Sequence, residues 1–503
     1  MATPAHGRDS CDVLVIGAGG SGLAAAIEAA AAGARVLLLE KTPQPGGTTG
    51  LSVGSITVTR TPHQLRQGIQ DSPAEHARDL AKINSRRGLP DNPELIRLLT
   101  ENVTDTFRWL MDLGLDFIGP LPEPPHSQPR MHCVLPTSRA YIARLTERAA
   151  SLGVEVRCGL AAQSLLTQGS RVVGVEGTDA AGTKERIRAG ATVLATGDYS
   201  ASPAMVEKYI SADAAKAIPA NPASTGDGHR MALAIGARVL NGQVAWLANR
   251  FPLPRQPSLV QSLPPLRLVG RLMRIAYEHL PEAIVRRFAM AFITSILQPS
   301  QAIYEAGAIL VNRGGRRFGD ETGDLTDLTM ATAQQPGGTA FIIFDRRIVK
   351  HFSRWPHFVS TAPGPGYAYA QDYRRYRRDL WHEGNSIDEL ARSLGMPGDA
   401  LNKTVSEFNE TVARGDRGAL SQPPFCALGP LNAVLAFTDG GLAIDGEFRV
   451  LDGDDKPIPG LYAAGSVGQG GVLLDGHGHH IAWAFTSGRI AGRRAGAFAR
   501  EAR

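Results

Sequence analysis

The chain begins by committing itself to one supersecondary unit. Val13-Leu14-Val15-Ile16 runs into Gly17-Ala18-Gly19-Gly20-Ser21-Gly22, an alanine-rich stretch follows, and Val36-Leu37-Leu38-Leu39-Glu40 closes the pattern. This predicts a strand, a glycine turn, a helix and a second strand ending in an acid. Gly17 permits the tight turn, Gly19 lets the backbone approach a pyrophosphate, and Gly22 lets the helix lie close to the sheet. The helix start then offers free N–H groups and the positive end of its dipole to a diphosphate. Glu40, 18 positions after Gly22, is placed to accept from both ribose hydroxyls of an adenosine. A phosphorylated ribose would be repelled.

A chain of 503 residues exceeds what a single growing core accommodates, so two or more domains are expected. The 56 glycines and 43% hydrophobic content suit an α/β protein with many tight turns. A net charge of +5 is small for this length, and no lysine- and arginine-rich tract of the nucleic-acid-binding kind occurs. The densest basic cluster, Arg374, Arg375, Arg377 and Arg378, reads as a solvated helix face. Cys11, Cys133, Cys158 and Cys426 are too dispersed for a redox disulfide or a cysteine-ligated cluster, and no metal site is expected. Met1 to Ser10 is polar, which predicts a cytoplasmic protein. No stretch reaches the roughly 20 apolar residues that span a bilayer.

Beyond Glu40, Lys41-Thr42-Pro43-Gln44-Pro45-Gly46-Gly47-Thr48-Thr49-Gly50-Leu51-Ser52-Val53-Gly54-Ser55 forms a small-residue loop able to run beside a long flat cofactor. It resembles the flavin loop of the fumarate reductase and 3-ketosteroid dehydrogenase superfamily of FAD enzymes. Four further segments carry the resemblance in the family's order: the hairpin-like stretch Val154 to Val175 with the strand ending Ala195-Thr196-Gly197, Thr225-Gly226-Asp227-Gly228, Pro457 to Ser466, and the helix from Ile481 to Ala495. The implied cofactor is FAD, held by Gly17, Gly19, Gly20, Ser21, Gly22, Glu40 and Lys41, by Gly47, Thr48, Thr49, Ser52, Val53 and Gly54, by Ala162, Thr196, Gly197 and Asp227, and by Gly465, Ser466, Ile481 and Ala482. A helix N-terminus at the pyrimidine edge of the isoalloxazine would favour the negative charge that gathers there on reduction.

The implied architecture is an α/β, Rossmann-like FAD-binding domain with an inserted α+β capping domain. Residues 1–240 and 430–503 would form the first and 241–429 the cap. Within the cap, Gly307 to Asn312 running into Gly315 to Glu321 resembles the family's cap hairpin. Ser386 before an apolar-periodic run, with an acid three residues on, fits a capping box. The segment 266–297 carries Leu272, Ile275, Ala276, Leu280, Ile284, Val285, Phe288 and Ile293 near five arginines. That spacing suits amphipathic helices that serve as a lid, a subunit contact or a peripheral membrane contact reaching a quinone.

The resemblance implies hydride transfer between flavin and the carbon β to a carbonyl, with a proton handled at the α-carbon. The substrate-binding positions depart from both branches, since Leu325 stands where one branch has an arginine and the other a tyrosine, and Phe437 precedes Thr438-Asp439-Gly440-Gly441 where fumarate reductases have a histidine. His477 stands approximately where fumarate reductases have their second arginine. A small dicarboxylate would be poorly held. Ala245-Trp246 looks more like the steroid branch. Gly476-His477-Gly478-His479-His480 offers three imidazoles at the flavin-facing helix start, of which His477 and His479 are the catalytic candidates, joined by His132 and, by order in the cap, Tyr304 and Arg250. The expected function is an FAD-dependent dehydrogenase or ene-reductase acting on a C–C or C=C bond beside a carbonyl of a cyclic or largely apolar small molecule, its electron acceptor not encoded visibly. The alternatives are a redox-neutral flavin-dependent isomerase or lyase, and a non-catalytic flavin-binding subunit. Family members that tether FAD do so through a histidine, whereas this loop offers Thr48, Thr49 and Ser52, so the cofactor is expected to be non-covalent. Acid precipitation of the purified protein should release the yellow colour into the supernatant; colour retained by the pellet would establish a covalent link.

Overall fold

The opening unit forms as its sequence dictates: β1 (Ser10–Ile16), α1 (Gly20–Ala31) and β2 (Val36–Glu40). The computed structural model describes residues 10–254, 259–281, 284–286, 290, 294, 298–362, 366–412 and 417–501. β1 and β2 pair in parallel, from Val13 opposite Val36 to Ile16 opposite Leu39. Both are covered on each face, which is why they read as unbroken apolar runs rather than alternating ones. An eight-stranded sheet grows around them in the order Arg449–Leu451, Pro457–Ala463, Lys184–Leu194, β1, β2, Glu155–Cys158. Lys184–Leu194 does two jobs, pairing antiparallel with Arg171–Asp179 through its first half and parallel with β1 through its second. Through it the hairpin Leu160–Gln168 and Arg171–Asp179 is attached to the nucleotide layer.

A second sheet, of six strands, is organised around Phe425–Thr438, which pairs with Ile218–Pro219, Ala245–Arg250, Thr339–Asp345 and Trp381–Gly384. The expected boundary at 429/430 therefore falls inside one continuous strand. Ladder bonds to Ala245–Arg250 carry it on to Thr438, and the chain rejoins the first layer at Gly441–Leu442, opposite Val239–Leu240. Ile218–Pro219 likewise reaches the cap sheet before position 240. The cap has its own core around Phe341, Ile342, Ile343, Phe344, Phe408 and Leu428.

Local signals in the cap hold in part. Ser386 accepts from the Glu389 N–H at 3.1 Å, but Glu389 reaches back to the Asn385 N–H, one residue before the cap. Arg377 departs from the expected solvated face: it is 1% exposed, and its guanidinium donates to Asp379 and to the carbonyls of Pro252 and Thr294. Arg267–His279 is a helix that leaves Leu268, Leu272 and Ile275 exposed and is anchored through Arg274 to Asp116 at 2.8 Å. Much of the expected amphipathic segment beyond it, Phe288 and Ile293 included, lies outside the described residues. Among the described residues no helix is long and apolar enough to cross a membrane.

The final helix, His479–Glu501, lies directly on α1. Gly488, Gly492 and Gly496 are four residues apart and so share a face. A Cβ at Gly488 would stand 2.3 Å from the Ser21 carbonyl oxygen, and one at Gly492 would stand 2.2 Å from that of Ala25. Alanines on α1 supply the matching shallow surface, and Arg489 and Arg493 both donate to Glu28 at the contact's edge, at 2.7 and 3.2 Å. The two backbones touch because neither helix interposes a side chain. Gly492→Ala is expected to cost about 2–3 kcal/mol by forced overpacking, against less than about 0.5 kcal/mol for Gly453→Ala at an open surface position; thermal melts of the two variants side by side check this.

Candidate flavin and substrate site

The glycine turn opens on a cleft with about 790 Å³ of empty space, part of it open to solvent. Gly17 has φ +103°, and a Cβ there would meet the Ala195 carbonyl oxygen at 2.4 Å. Gly19, by contrast, faces open space, where a Cβ would come no nearer than 3.8 Å to Gly47. A side chain at Gly19 would fill room that a diphosphate needs. Of the residues expected to hold the cofactor, Gly17, Gly19, Gly20, Ser21, Glu40, Lys41, Gly47, Thr48, Thr49, Ala162, Thr196, Gly197, Asp227, Gly465 and Ser466 line this cleft. Gly22 stands behind it, its Cα against the Gly17 carbonyl. Ser52, Val53, Gly54, Ile481 and Ala482 also lie outside the lining; Ser52 ties the loop by donating to the Thr49 carbonyl and accepting from Gly54 N–H.

Glu40 is more occupied than the sequence implied. Its Oε2 accepts from Ala18 N–H at 2.8 Å, and its Oε1 accepts from the Thr42 N–H and hydroxyl, both at 2.9 Å. A carboxylate offers about four acceptor sites, so one remains for a ribose hydroxyl while the others lock the turn. Lys41 donates to Thr225 and Asp227 at 2.5 and 2.7 Å. Burial alone would raise the Asp227 pKa, but Lys41 and Thr225 hold it below the usual carboxylate range. Asn221, Ser224 and Ala484 are among the further lining residues; no motif marked them. The spacing of glycines, ribose acceptor and helix start fits an adenine dinucleotide.

A second constellation sits where the final helix begins. His480 precedes the cleft-lining Ala484 by four residues, so its imidazole lies on the same helix face, one turn nearer the N-terminus. Its Nε2 is 2.6 Å from Asp439 Oδ1. Asp439 is fully buried and accepts also from the Trp246 indole N–H at 3.3 Å. Burial pushes the Asp439 pKa up, yet the facing His480 and the further hydrogen bonds outweigh it and hold the carboxyl below its ordinary value. Phe437 and Trp246 flank the imidazole with ring centroids at 4.2 and 6.5 Å. Arg87 lies over the Trp246 ring at 5.1 Å and is fixed by both oxygens of Asp475. Asp439 is visible in Thr438-Asp439-Gly440-Gly441, and the four-residue offset of His480 from the cleft-lining Ala484 is the signal that separates it from its neighbours.

The structure does not bring the other catalytic candidates together. His477 is exposed, its ring and backbone N–H both bound to Glu123. His479 turns the other way, fully buried, its Nε2 3.1 Å from that of His76, with His126 beside both. His132 is enclosed between Phe107 and His63, with Nδ1 on the Arg130 carbonyl and Nε2 on Thr61. Tyr304 is 1% exposed within the cap core, where burial drives its pKa far up. Arg250 ends the strand Ala245–Arg250 and is half-buried. No group of three or more metal-ligating side chains is poised for an ion among the described residues.

A family model described as "FAD binding domain" matches residues 12–474. Among curated proteins the chain is similar to a probable fumarate reductase, Ifc3, of Shewanella frigidimarina, with 29% identity covering 98% of this chain and 76% of that protein. Among solved structures it is similar to the open conformation of a flavocytochrome c3 fumarate reductase, with TM-score 0.74, 26% identity and coverage of 98% and 79%. The fold is also that of 3-ketosteroid delta1-dehydrogenase from Sterolibacterium denitrificans, with TM-score 0.67, 19% identity and coverage of 97% and 100%.

The buried imidazoles make the fold acid-sensitive. Burial lowers His63 and His229 to about 4 and His132 to about 3, and it lowers His76, His126 and His479 in the same direction, with neighbouring charges acting after it. Each binds a proton more weakly folded than unfolded, where the reference value is 6.5. Stability is therefore complete above that value and falls as pH drops below it, by up to about 1.4 kcal/mol per pH unit for each histidine engaged. The thermal midpoint should be flat from pH 8 to 7 and fall steeply from 6.5 to 5; a level profile through that interval would contradict the assignment.

Proposed function

Because the chain belongs to the FAD binding domain family, we propose that it is an FAD-dependent oxidoreductase acting on a carbon–carbon bond beside a carbonyl of a small molecule. The observation that carries this reading is the buried Asp439 gripping His480 one helix turn from the cleft. Bound FAD supplies the hydride acceptor or donor. What this chain must add is a proton route at the α-carbon and a wall that orients the substrate. Asp439 fixes the imidazole by its Nε2 edge, leaving Nδ1, which has no hydrogen-bond partner among the described residues, to exchange a proton with substrate. The His480 side chain is 21% exposed, open enough to meet a ligand. Phe437 and Trp246 make the surface around it aromatic, which suits a cyclic or largely apolar skeleton.

Cleft and dyad meet on one rigid helix. The nucleotide end is fixed by α1 and the glycine turn, and the proton-transferring end by the first turn of His479–Glu501, which is pressed against α1. Asp439 comes from the cap sheet, so the dyad also joins the two layers. A fumarate-sized dicarboxylate finds none of the cationic contacts expected of it at Leu325 or Phe437. That supports a ketone or enone of larger, less polar form.

Anaerobic mixing of the yellow protein with a panel of cyclic ketones and enones tests the reading. Net dehydrogenation bleaches the oxidised flavin, net reduction recolours a dithionite-reduced sample, and turnover without either change would instead indicate an isomerase. His480→Gln and Asp439→Asn should each lower kcat by about 10²–10⁴-fold, the usual scale for a general acid–base, while retaining flavin. Full activity in His480→Gln would overturn the assignment of the proton-transferring group.

A further inference from the structure

The cap strand Ala245–Arg250 presents two different faces. Leu247 packs with Ala433, Leu435, Met205 and Ala333 in a buried cluster. Trp246, Ala248 and Arg250 alternate onto the opposite face, and their ladder partners Phe437, Val434 and Asn432 are half-buried beside them. That second face therefore borders the space into which His480 looks, since Trp246 and Phe437 are the rings flanking its imidazole. Arg250 stands at the far end of the same row.

Among the described residues no acid answers its charge. The buried arginines each meet carboxylates: Arg130 meets Asp71 and Asp79, Arg144 meets Glu147, and Arg377 meets Asp379. Arg250 forms no ion pair within 4.0 Å with any described residue. Burial lowers its pKa, and no neighbouring acid opposes the shift. A half-buried guanidinium has lost part of its hydration, and no carboxylate among the described residues replaces it. The arrangement is explained if an anion arrives with the ligand.

We propose that Arg250 is the anion-binding residue of the substrate site, and that the substrate carries a carboxylate or like anion separated from its reacting carbon–carbon bond by a ring or chain. The separation follows from the strand: four residue steps take the chain from Trp246 to Arg250, roughly 13 Å of extended backbone. An acid whose carboxylate sits directly on the double bond would not reach from Arg250 to His480. Planar guanidinium and carboxylate engage through paired hydrogen bonds, which fixes orientation as well as affinity. The inference rests on the site reading above, with His480 at the reacting end.

Benzoate and benzamide, equal in shape and free of any reducible bond, test this on the holoenzyme through perturbation of the flavin spectrum at constant ionic strength. Wild type should bind benzoate about tenfold or more tightly than benzamide, the scale of one charge-assisted contact. Arg250→Gln should abolish the preference, Arg250→Lys should restore part of it, and Arg250→Gln should melt no lower than wild type. Equal binding of the two probes by wild type, an undiminished preference in Arg250→Gln, or a large fall in melting temperature in that variant would each overturn the proposal. Because neither probe turns over, such a failure is distinct from a lack of enone turnover, which would count against the reaction itself.

Discussion

Everything at the site depends on backbone touching backbone at the start of α1. Gly22 lies against the Gly17 carbonyl, Gly17 against that of Ala195, and Gly488 and Gly492 bring the last helix down onto Ser21 and Ala25. Side chains at those positions would push apart three elements drawn from the two ends and the middle of the chain. Their closeness sets the width of the cleft and, through the rigid helix His479–Glu501, the place of His480. The interaction is one of shape rather than strong bonds, with Glu28 and its two arginines only finishing the edge.

Charge placement then divides the interior by purpose. Arg130 is enclosed by Asp71 and Asp79, so the loop carrying His126 and His132 is anchored by a satisfied pair. The histidines beside it are kept neutral by burial and behave as polar packing groups. Asp439 and His480 differ in kind: one member is sealed away and the other is partly exposed. A sealed carboxylate behind a partly exposed imidazole gives orientation without blocking access. The partial loss of water around Arg250, which has no acid beside it among the described residues, favours an arriving anion in the same way.

The division between layers also shapes the chemistry. Phe425–Thr438 belongs to the cap sheet along its whole length, and only at Gly441–Leu442 does the chain return. Thr438 N–H donates to Asp198 at 2.9 Å, immediately after the cleft-lining Gly197. Asp439 therefore sits at the junction where cap and nucleotide layers are tied together. A movement of the cap about that junction would carry Trp246 and Phe437 with it while the helix holding His480 stayed with α1.

The nucleotide unit was legible in the sequence because its requirements are local. A tight turn at Gly17, an open approach at Gly19 and a parallel pair of apolar strands are each fixed by a few adjacent residues, and fifteen of the expected contacts line one cleft. Glu40 was readable as the acid of that unit, yet its engagement with Ala18 and Thr42 emerged only from the folded turn. The choice among His477, His479 and His480 was not local: three neighbouring imidazoles point to Glu123, to His76 and to Asp439, partners up to 403 positions away. The sequence by itself determined that a dinucleotide cradle would form with α1 lying close to its sheet at Gly22, since those steric demands act between neighbours in the chain. Only the tertiary structure decided which imidazole meets a buried carboxylate and that Arg250 is left without one, because burial and pairing are properties of packed layers.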